Sequence, residues 1–536
     1  MKKTAEEFAK EQKEISISEF FEKNKHLLGF DNPTKSLLMA VKEAVDNSLD
    51  ACEEAGILPE ITVKIKNVKE DIYQVIVQDN GPGIVKEQIP RVFGKLLYGS
   101  KFHRLKQSRG QQGIGISSVT LYSQLTTGEP TRVWSKIESQ KKTYYMELHL
   151  NTVKNEPDIT KQEDIDKDVL GESGVKVEMT LHGRYRKIVE DYLKQTSISN
   201  PFAKIAYTAP DGTKLIFPKS VNELPKPSKI MKPHPYGVEF GTLQRMLEKA
   251  SSRTLLSFLT NEFSSVGTQS AKEICKTAKV QDSTKPAELE RTDIEKIIKA
   301  MQSVKIQRPP LDCLSPIGAE ELEKSLKKEY PSAEFVTSIN REPSVYRGFP
   351  FMIEVGIVYG THEEKNGKKN NNDEDEKNGE SIDLIRFANR VPLMYQQSAC
   401  GLTESVKQVD WRRYNLDQKG DSLPAGPMKL IVHICSVWVP FVSESKEAVA
   451  PYPEIIKETK LALQDAGRKL SSYLSGKRRT GEAKRRIQIF ERYSHEVASS
   501  LSILTKADAK DLEKKIRDMI SSRVHIKETE ETEINK

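Results

Sequence analysis

EAVDNSLDA, residues 43–51, forms the interior of a helical run in which polar groups recur among apolar ones. The helical periodicity extends from Pro33 to about Ala55. Asn32 is placed to cap it, Pro33 suits the first helical position, and Gly56 supplies a stop. Residues three, four and seven apart share a helix face, so Glu43, Asn47 and Asp50 line one stripe. Leu37, Val41, Ala44, Val45 and Ser48 fill the adjacent stripe and can face a sheet. Spacing alone describes a partly exposed helix with a polar side, because charged faces are usually just solvated.

Two glycine-bearing segments follow. QDNGPGI (78–84) ends a β-branched run with Asp79, then Gly81 and Gly83. Such a segment serves as a turn, or lets a ligand approach the backbone closely. SRGQQGIGISSVTLYS (108–123) places Gly110, Gly113 and Gly115 directly before a second helical run. Backbone amides at a helix N-terminus favour phosphate. The segment lacks the Lys-Ser/Thr of a P-loop and does not follow a strand directly as a Rossmann turn does. Alone it is weak.

The chain around these segments has 536 residues, too many for one core, and three or four domains are expected. Its charge of +7 permits nucleic acid as a partner without arguing for it. Cys52, Cys275, Cys313, Cys400 and Cys435 are scattered with no CxxC pair, so neither a zinc site nor a disulfide framework is indicated. The N-terminus MKKTAEEFAKEQKE lacks an apolar signal core, and no stretch is apolar for long enough to span a bilayer. A cytoplasmic protein is expected.

Residues 1–228 read as α/β. ITVKIKNV, IYQVIVQDNG, TYYMELHLN and VKVEMTLHG are strands, and VEDYLKQTSISNPFAKIAY is a helix entering a strand. LPKPSKIMKPHPYG (224–237) reads as an extended linker. Short amphipathic helices then run to about 306, broken at Gly267 and VQDSTKP. From about 308 strand-like runs return, and HEEKNGKKNNNDEDEKNGE (362–380) is a polar, low-complexity insertion expected to be disordered. The tail from Tyr452 is helical and carries the basic run GKRRTGEAKRR (476–486).

The order of motifs is far more specific than any one of them. A helix with Glu-x-x-x-Asn, then Asp-x-Gly-x-Gly, then a loop with Gly-x-x-Gly-x-Gly resembles the Bergerat fold of the GHKL ATPases. That superfamily includes type II topoisomerases, MutL, the ninety-kilodalton chaperone and histidine kinases. The wording of FDNPTKSLLMAVKEAVDNSLDACEEAGILPEI, FGKLLYGSKFHRLKQSRGQQGIG, KPHPYGV, NEFSSVGTQSA, CLSPIGAEEL, INREPSVYRGFPFMIEVG and DWRRY is closer still to the B subunits of DNA topoisomerase VI. This resemblance runs from about Ile17 to the last helices.

It implies an α+β multidomain chain. A GHKL ATPase sandwich (1–228) is followed by a helix-two-turn-helix domain (229–307), a βαβ transducer (308–470) and C-terminal helices (471–536) that contact the A subunit of topoisomerase VI. It implies ATP and Mg²⁺ as cofactors. Glu43 becomes the general base and Asn47 the metal ligand. Asp79 accepts from the adenine amino group, with Gly81 and Gly83 keeping that wall thin. The backbone of Gly110, Gln111, Gln112, Gly113, Ile114 and Gly115 wraps the phosphates, under a lid of residues 94–113 that offers Ser100 and Lys101. Asp50 becomes structural support, and Asp46 is expected to face solvent or a neighbouring basic group. Lys446, in FVSESKEAVA (441–450), resembles the transducer lysine that reaches the γ-phosphate.

One departure stands out. The superfamily usually has Gly-Thr behind the adenine, and SGVKVEM gives Gly174-Val175 here. Valine offers no hydroxyl, so a water or another hydroxyl must replace it, or adenine binds more weakly.

A topoisomerase must also cut DNA. None of the tyrosines stands in a recognisable cleavage motif, and the DxD at Asp373 and Asp375 lies in the polar insertion. Cleavage is therefore expected from a separate A subunit. The resemblance implies a homodimer through the ATPase domains, an A2B2 heterotetramer acting on double-stranded DNA, no membrane partner, and a nucleoid-associated location. A MutL-like repair clamp shares the logic of the first 180 or so residues but not the helical insert. A nucleotide-gated scaffold without DNA activity is the other alternative. A histidine kinase needs a phospho-accepting hairpin, and only His26 precedes the helix.

Overall fold

The computed structural model describes residues 8, 15–99, 104–110, 113–166, 169–361, 381–443 and 446–519. Ser100, Lys101, Gln111, Gln112 and the insertion 362–380 lie outside the described residues. The chain forms two compact units, residues 1–410 with 417–466, and residues 411–416 with 467–536.

The larger unit begins with helices α1 (Ile17–Lys23) and α2 (Pro33–Ala55). The α2 boundaries follow from its caps. The Asn32 side chain accepts from Lys35 N at 2.9 Å, Pro33 opens the first turn, and Gly56 closes the last in a left-handed conformation at φ 74°. Strands β1 (Glu60–Lys69) and β2 (Ile72–Gln78) follow, then α3 (Ile89–Gly94) and α4 (Gly115–Thr127). Next come β3 (Thr131–Lys136), β4 (Thr143–Asn151), β5 (Glu156–Ile165), β6 (Gly174–His182), α5 (Ile188–Ser199), β7 (Lys204–Thr208) and β8 (Lys214–Phe217).

Among the described residues these strands make an eight-stranded sheet in the order β5-β4-β3-β6-β2-β1-β7-β8. Only β1 and β7 pair in parallel within it. Leu37, Leu38, Val41, Val45 and Leu49 of α2 are fully buried in one core with Val63, Val75, Val77 and Met179 of the sheet. Each such side chain contributes about 1.5–3 kcal/mol relative to exposure. That packing fixes α2 against β2 and so sets the distance between Glu43 and Asp79.

Strands β3 and β5 were not expected from sequence. β5, EPDITKQEDI, sits at the sheet edge with most of its side chains exposed, so it carries no apolar alternation. Charged residues on an edge strand also discourage pairing with other chains.

Helices α6 (Phe240–Glu248), α7 (Leu255–Glu262), α8 (Thr268–Ala278) and α9 (Arg291–Ser303) enclose a core of their own around Leu243, Phe258, Ile274 and Ile297. The proline-rich stretch before them is extended, but it is not a free linker. Met231 and His234 are buried. Met231 N donates to Leu105 O at 2.8 Å, and His234 Nε2 lies 3.0 Å from Gln307 O.

A second sheet follows α10 (Ala319–Glu329). It comprises β9 (Phe335–Asn340), β10 (Ser344–Tyr346), β11 (Phe349–Tyr359), β12 (Asp383–Ala388), β13 (Val391–Pro392) and β14 (Met428–Ser436), with α11 (Gly401–Lys407) between the last two. Its order is β10-β11-β14-β12-β13, with β9 also on β11. Glu354 and His433 face each other in the β11–β14 register, both with side chains fully buried. Arg390 N donates to His433 Nε2 at 3.0 Å, so the ring proton sits on Nδ1, 2.6 Å from Glu354 Oε2. Glu354 also accepts from the amides of Ile317 and Gly318, at 2.8 Å each. Burial pushes this carboxyl up, but His433 and the two amides outweigh it and hold it below its ordinary range.

Helix α12 (Pro453–Thr505) is the longest among the described residues, and most of it lies in the second unit. There the basic run 476–486 is exposed, and so are Ile489, Phe490, Tyr493 and Val497. No helix among the described residues is long and apolar enough to cross a membrane.

Candidate active site

A cavity of about 590 Å³ opens between α2, the end of β2 and the start of α4. Of the residues expected from sequence, Glu43, Asn47, Asp79, Gly83, Gly110, Gly113, Ile114, Gly115 and Lys446 line it. They come from distant stretches of chain, and the fold brings them to one wall or another of a single space.

Asp79 defines one end. It is buried directly after β2, and its carboxylate is held by three donors. Ser48 Oγ donates to Oδ2 at 2.8 Å, while Gly81 N and Val175 N donate to Oδ1 at 3.0 and 3.1 Å. Burial pushes this carboxyl up, and the three donors oppose that shift. Val175 gives Asp79 only its backbone amide, and the hydroxyl donated to Asp79 comes from Ser48 of the helix. Gly81 does not line the cavity. Its contribution is the amide that orients Asp79.

Glu43 and Asn47 mark the other end, one helical turn apart on α2. A methyl group at position 115 would collide with the Glu43 carboxylate, so glycine there admits the close approach of α4 to Glu43. Lys446 enters from the segment after β14. Its Nζ donates to Arg109 O at 3.0 Å, and its backbone is left-handed at φ 54°. Burial lowers the Lys446 pKa from the ordinary lysine value, and the Glu43 carboxylate opposes this.

Residues 33–153 match the family of histidine kinase-, DNA gyrase B- and HSP90-like ATPases, and residues 309–486 match the transducer of the topoisomerase VI B subunit. The type 2 DNA topoisomerase 6 B subunit of Methanococcoides burtonii is 49% identical over 88% of this chain and 74% of its own. That of Archaeoglobus fulgidus is 47% identical over 87% and 75%. That of Pyrococcus horikoshii is 37% identical over 99% of both chains. The chain belongs to the topoisomerase VI B subunits.

A topoisomerase VI B subunit with this ATPase domain is the ATP-binding, ATP-driven subunit of a type IIB DNA topoisomerase. Membership in that family replaces the repair-clamp and scaffold alternatives.

The geometry also places Asp46 and Asp50. Asp46 does not face solvent, and the basic groups that act on it are Lys42 and Arg109. It is buried and accepts from Tyr192 Oη at 3.1 Å. Burial pushes its carboxyl up to about 6. Asp50 turns away from the cavity to Arg109 Nη1 at 2.8 Å.

Arg109 was missed. It lies inside the glycine segment 108–123 and reads there as a loop arginine. In this B subunit it is buried, bonded to Asp50, Glu53 and Asn200. Glu53 in turn binds Arg390 of the transducer region at 2.8 Å. Burial works against the Arg109 charge, and Glu53 and Asp50 outweigh it.

Gln107 and Ser108 are also fastened. Gln107 exchanges two 2.7 Å bonds with the backbone of Ser315, and Asn389 Nδ2 donates to Ser108 O at 3.1 Å. The chain leading to the glycine segment is thus bound to the transducer region.

Proposed function

We propose that the cavity binds ATP with the adenine at Asp79 and the phosphates at the Glu43 end. The reading rests on one arrangement above all: a carboxylate, an amide side chain and a lysine from another part of the chain converge opposite a buried aspartate that has three donors. Asp79 accepts from the adenine amino group through its remaining lone pairs. The amides of residues 110–115 bind the phosphates at the N-terminus of α4. Glu43 orients the attacking water and takes its proton. Lys446 offsets charge at the γ-phosphate and reports whether that phosphate is present. Ser100 and Lys101 of the lid complete the proposed phosphate contacts.

Among the described residues, no three His, Cys, Asp or Glu side chains form a cluster that could hold a metal. The Asn47 amide oxygen suits a Mg²⁺ that takes its other ligands from phosphate and water. Such an ion, held by Asn47, would offset the charge of the phosphates.

At the level of the assembly, we propose that ATP joins two B subunits through their ATPase domains (1–228) and closes a gate on a DNA duplex. The helix-two-turn-helix domain is assigned to 229–307 and the transducer to 308–470. A separate A subunit, docked on 471–536, cleaves the DNA, and the complex is an A2B2 heterotetramer in the cytoplasm at the nucleoid. Co-purification with an A subunit, followed by relaxation of supercoiled DNA with and without ATP, tests this reading. It expects a stable complex and ATP-dependent relaxation. Failure to associate, or relaxation at the same rate without ATP, contradicts it.

A further inference from the structure

Lys446 sits near the tip of a folded-back segment. Phe441 and Val449 pair across it, Val442 N donates to Ala448 O at 2.9 Å, and Lys446 N donates to Ser443 O at 3.1 Å. Immediately after the tip comes Glu447, whose side chain is buried at 5% exposure. A buried carboxylate needs a countercharge. That charge is Lys35 Nζ, 2.6 Å from Glu447 Oε1, with a side chain only 9% exposed itself. Both Glu447 carboxylate oxygens are buried without a hydrogen bond among the described residues, so the ion pair with Lys35 is what offsets this charge.

Lys35 is well fixed. It lies in the first turn of α2, where the Asn32 cap holds its backbone amide and Asp31 lies 3.0 Å from its Nζ. Its Nζ is also 5.5 Å from the centre of the Tyr395 ring. Burial pulls its charge down, but Glu447 and Asp31 outweigh that and raise its pKa. The helix that carries Glu43 and Asn47 therefore also holds the segment that delivers Lys446.

We propose that the Lys35–Glu447 ion pair is a latch that positions Lys446 at the phosphate end of the cavity. This rests on the reading of Lys446 as the γ-phosphate contact. Lys35 and Glu447 are positioning residues, and neither lines the cavity. With Lys35 neutralised, the Glu447 carboxylate escapes to water by releasing its segment, and Lys446 leaves with it. Nucleotide binding through Asp79 and the glycine amides remains. The latch therefore contributes to turnover rather than to ground-state affinity.

The test is steady-state ATP turnover by the full chain with its A subunit and supercoiled DNA, for Lys35→Met, Glu447→Gln, Lys35→Arg, Lys446→Met and the Lys35→Met/Lys446→Met double variant. Thermal melts confirm folding. The latch predicts that Lys35→Met and Glu447→Gln each lower kcat about tenfold at unchanged KM for ATP. It predicts that Lys35→Arg, which keeps the charge, retains most of the turnover. It predicts that the double variant is no slower than Lys446→Met. Wild-type kcat in Lys35→Met, or a double variant clearly slower than Lys446→Met, overturns the latch and leaves the Lys446 reading standing. Wild-type turnover in Lys446→Met overturns that reading, and the latch with it.

Discussion

The Ser48 hydroxyl donates to Asp79 Oδ2 at 2.8 Å, joining the helix that carries Glu43 to the end of β2. The superfamily's usual threonine is Val175 here, and Val175 gives Asp79 only its amide. Ser48 is thus the side-chain hydroxyl bonded to this carboxylate. Removing it leaves a buried acceptor short of a partner, which costs about 1 kcal/mol or more. Ser48→Ala should weaken ATP binding about fivefold to tenfold, with little change in turnover at saturation. Equilibrium nucleotide titration checks this, and unchanged affinity would mean that the bond does not orient Asp79 for adenine.

Gly115 makes room for Glu43. Alanine there drives a methyl group into the carboxylate, while the start of α4 can otherwise form as before. We expect Gly115→Ala to keep its helical circular dichroism and lose at least about tenfold in ATP turnover, a barrier change near 1.4 kcal/mol. Normal turnover would show that Glu43 can move aside without cost.

Arg109 neutralises Asp50 and Glu53 where neither can reach water easily. Replacing it by methionine removes the countercharge that Asp50 and Glu53 share and leaves Glu53 with Arg390, and breaking buried pairs costs about 3–5 kcal/mol. Arg109→Met should lower the melting temperature well beyond the change from removing an exposed arginine such as Arg478, and the two melts can be compared directly.

Asp46 gives a pH signature. Its pKa is about 6 in the folded chain against an ordinary 3.8. The folded state therefore favours the protonated carboxyl. The stability this contributes is fully present below about 3.8 and is lost as pH rises through 6. The loss is on the order of 2–3 kcal/mol. Asp46→Asn keeps an acceptor for Tyr192 and has no charge to bury. It should melt at a higher temperature than the parent at pH 8, and the gap should shrink towards pH 4. A constant gap would contradict the shifted titration.

Much of this site is legible in the residues because its signals are local. Asn32, Pro33 and Gly56 bound α2 by capping chemistry, and Glu43 and Asn47 share a face by helical geometry. Asp79 and the glycines announce themselves by order. The side chains that were missed are in relationships across distance. Arg109 reads as an exposed loop residue until Asp50, Glu53 and Asn200 close around it, from 56 to 91 residues away. Ser48, in an apolar stripe, reads as sheet-facing, and only the end of β2 reveals what its hydroxyl meets. Asp46 reads as solvated because Tyr192, which covers it, belongs to α5. β5 was invisible because an exposed, charged edge strand carries no hydrophobic alternation to detect.

The proposed base for ATP hydrolysis is Glu43, in a site that binds nucleotide without it. The most direct measurement pairs ATP turnover with nucleotide affinity for Glu43→Ala. Turnover should be abolished while ATP still binds near the parent affinity. Hydrolysis at the parent rate would contradict the claim.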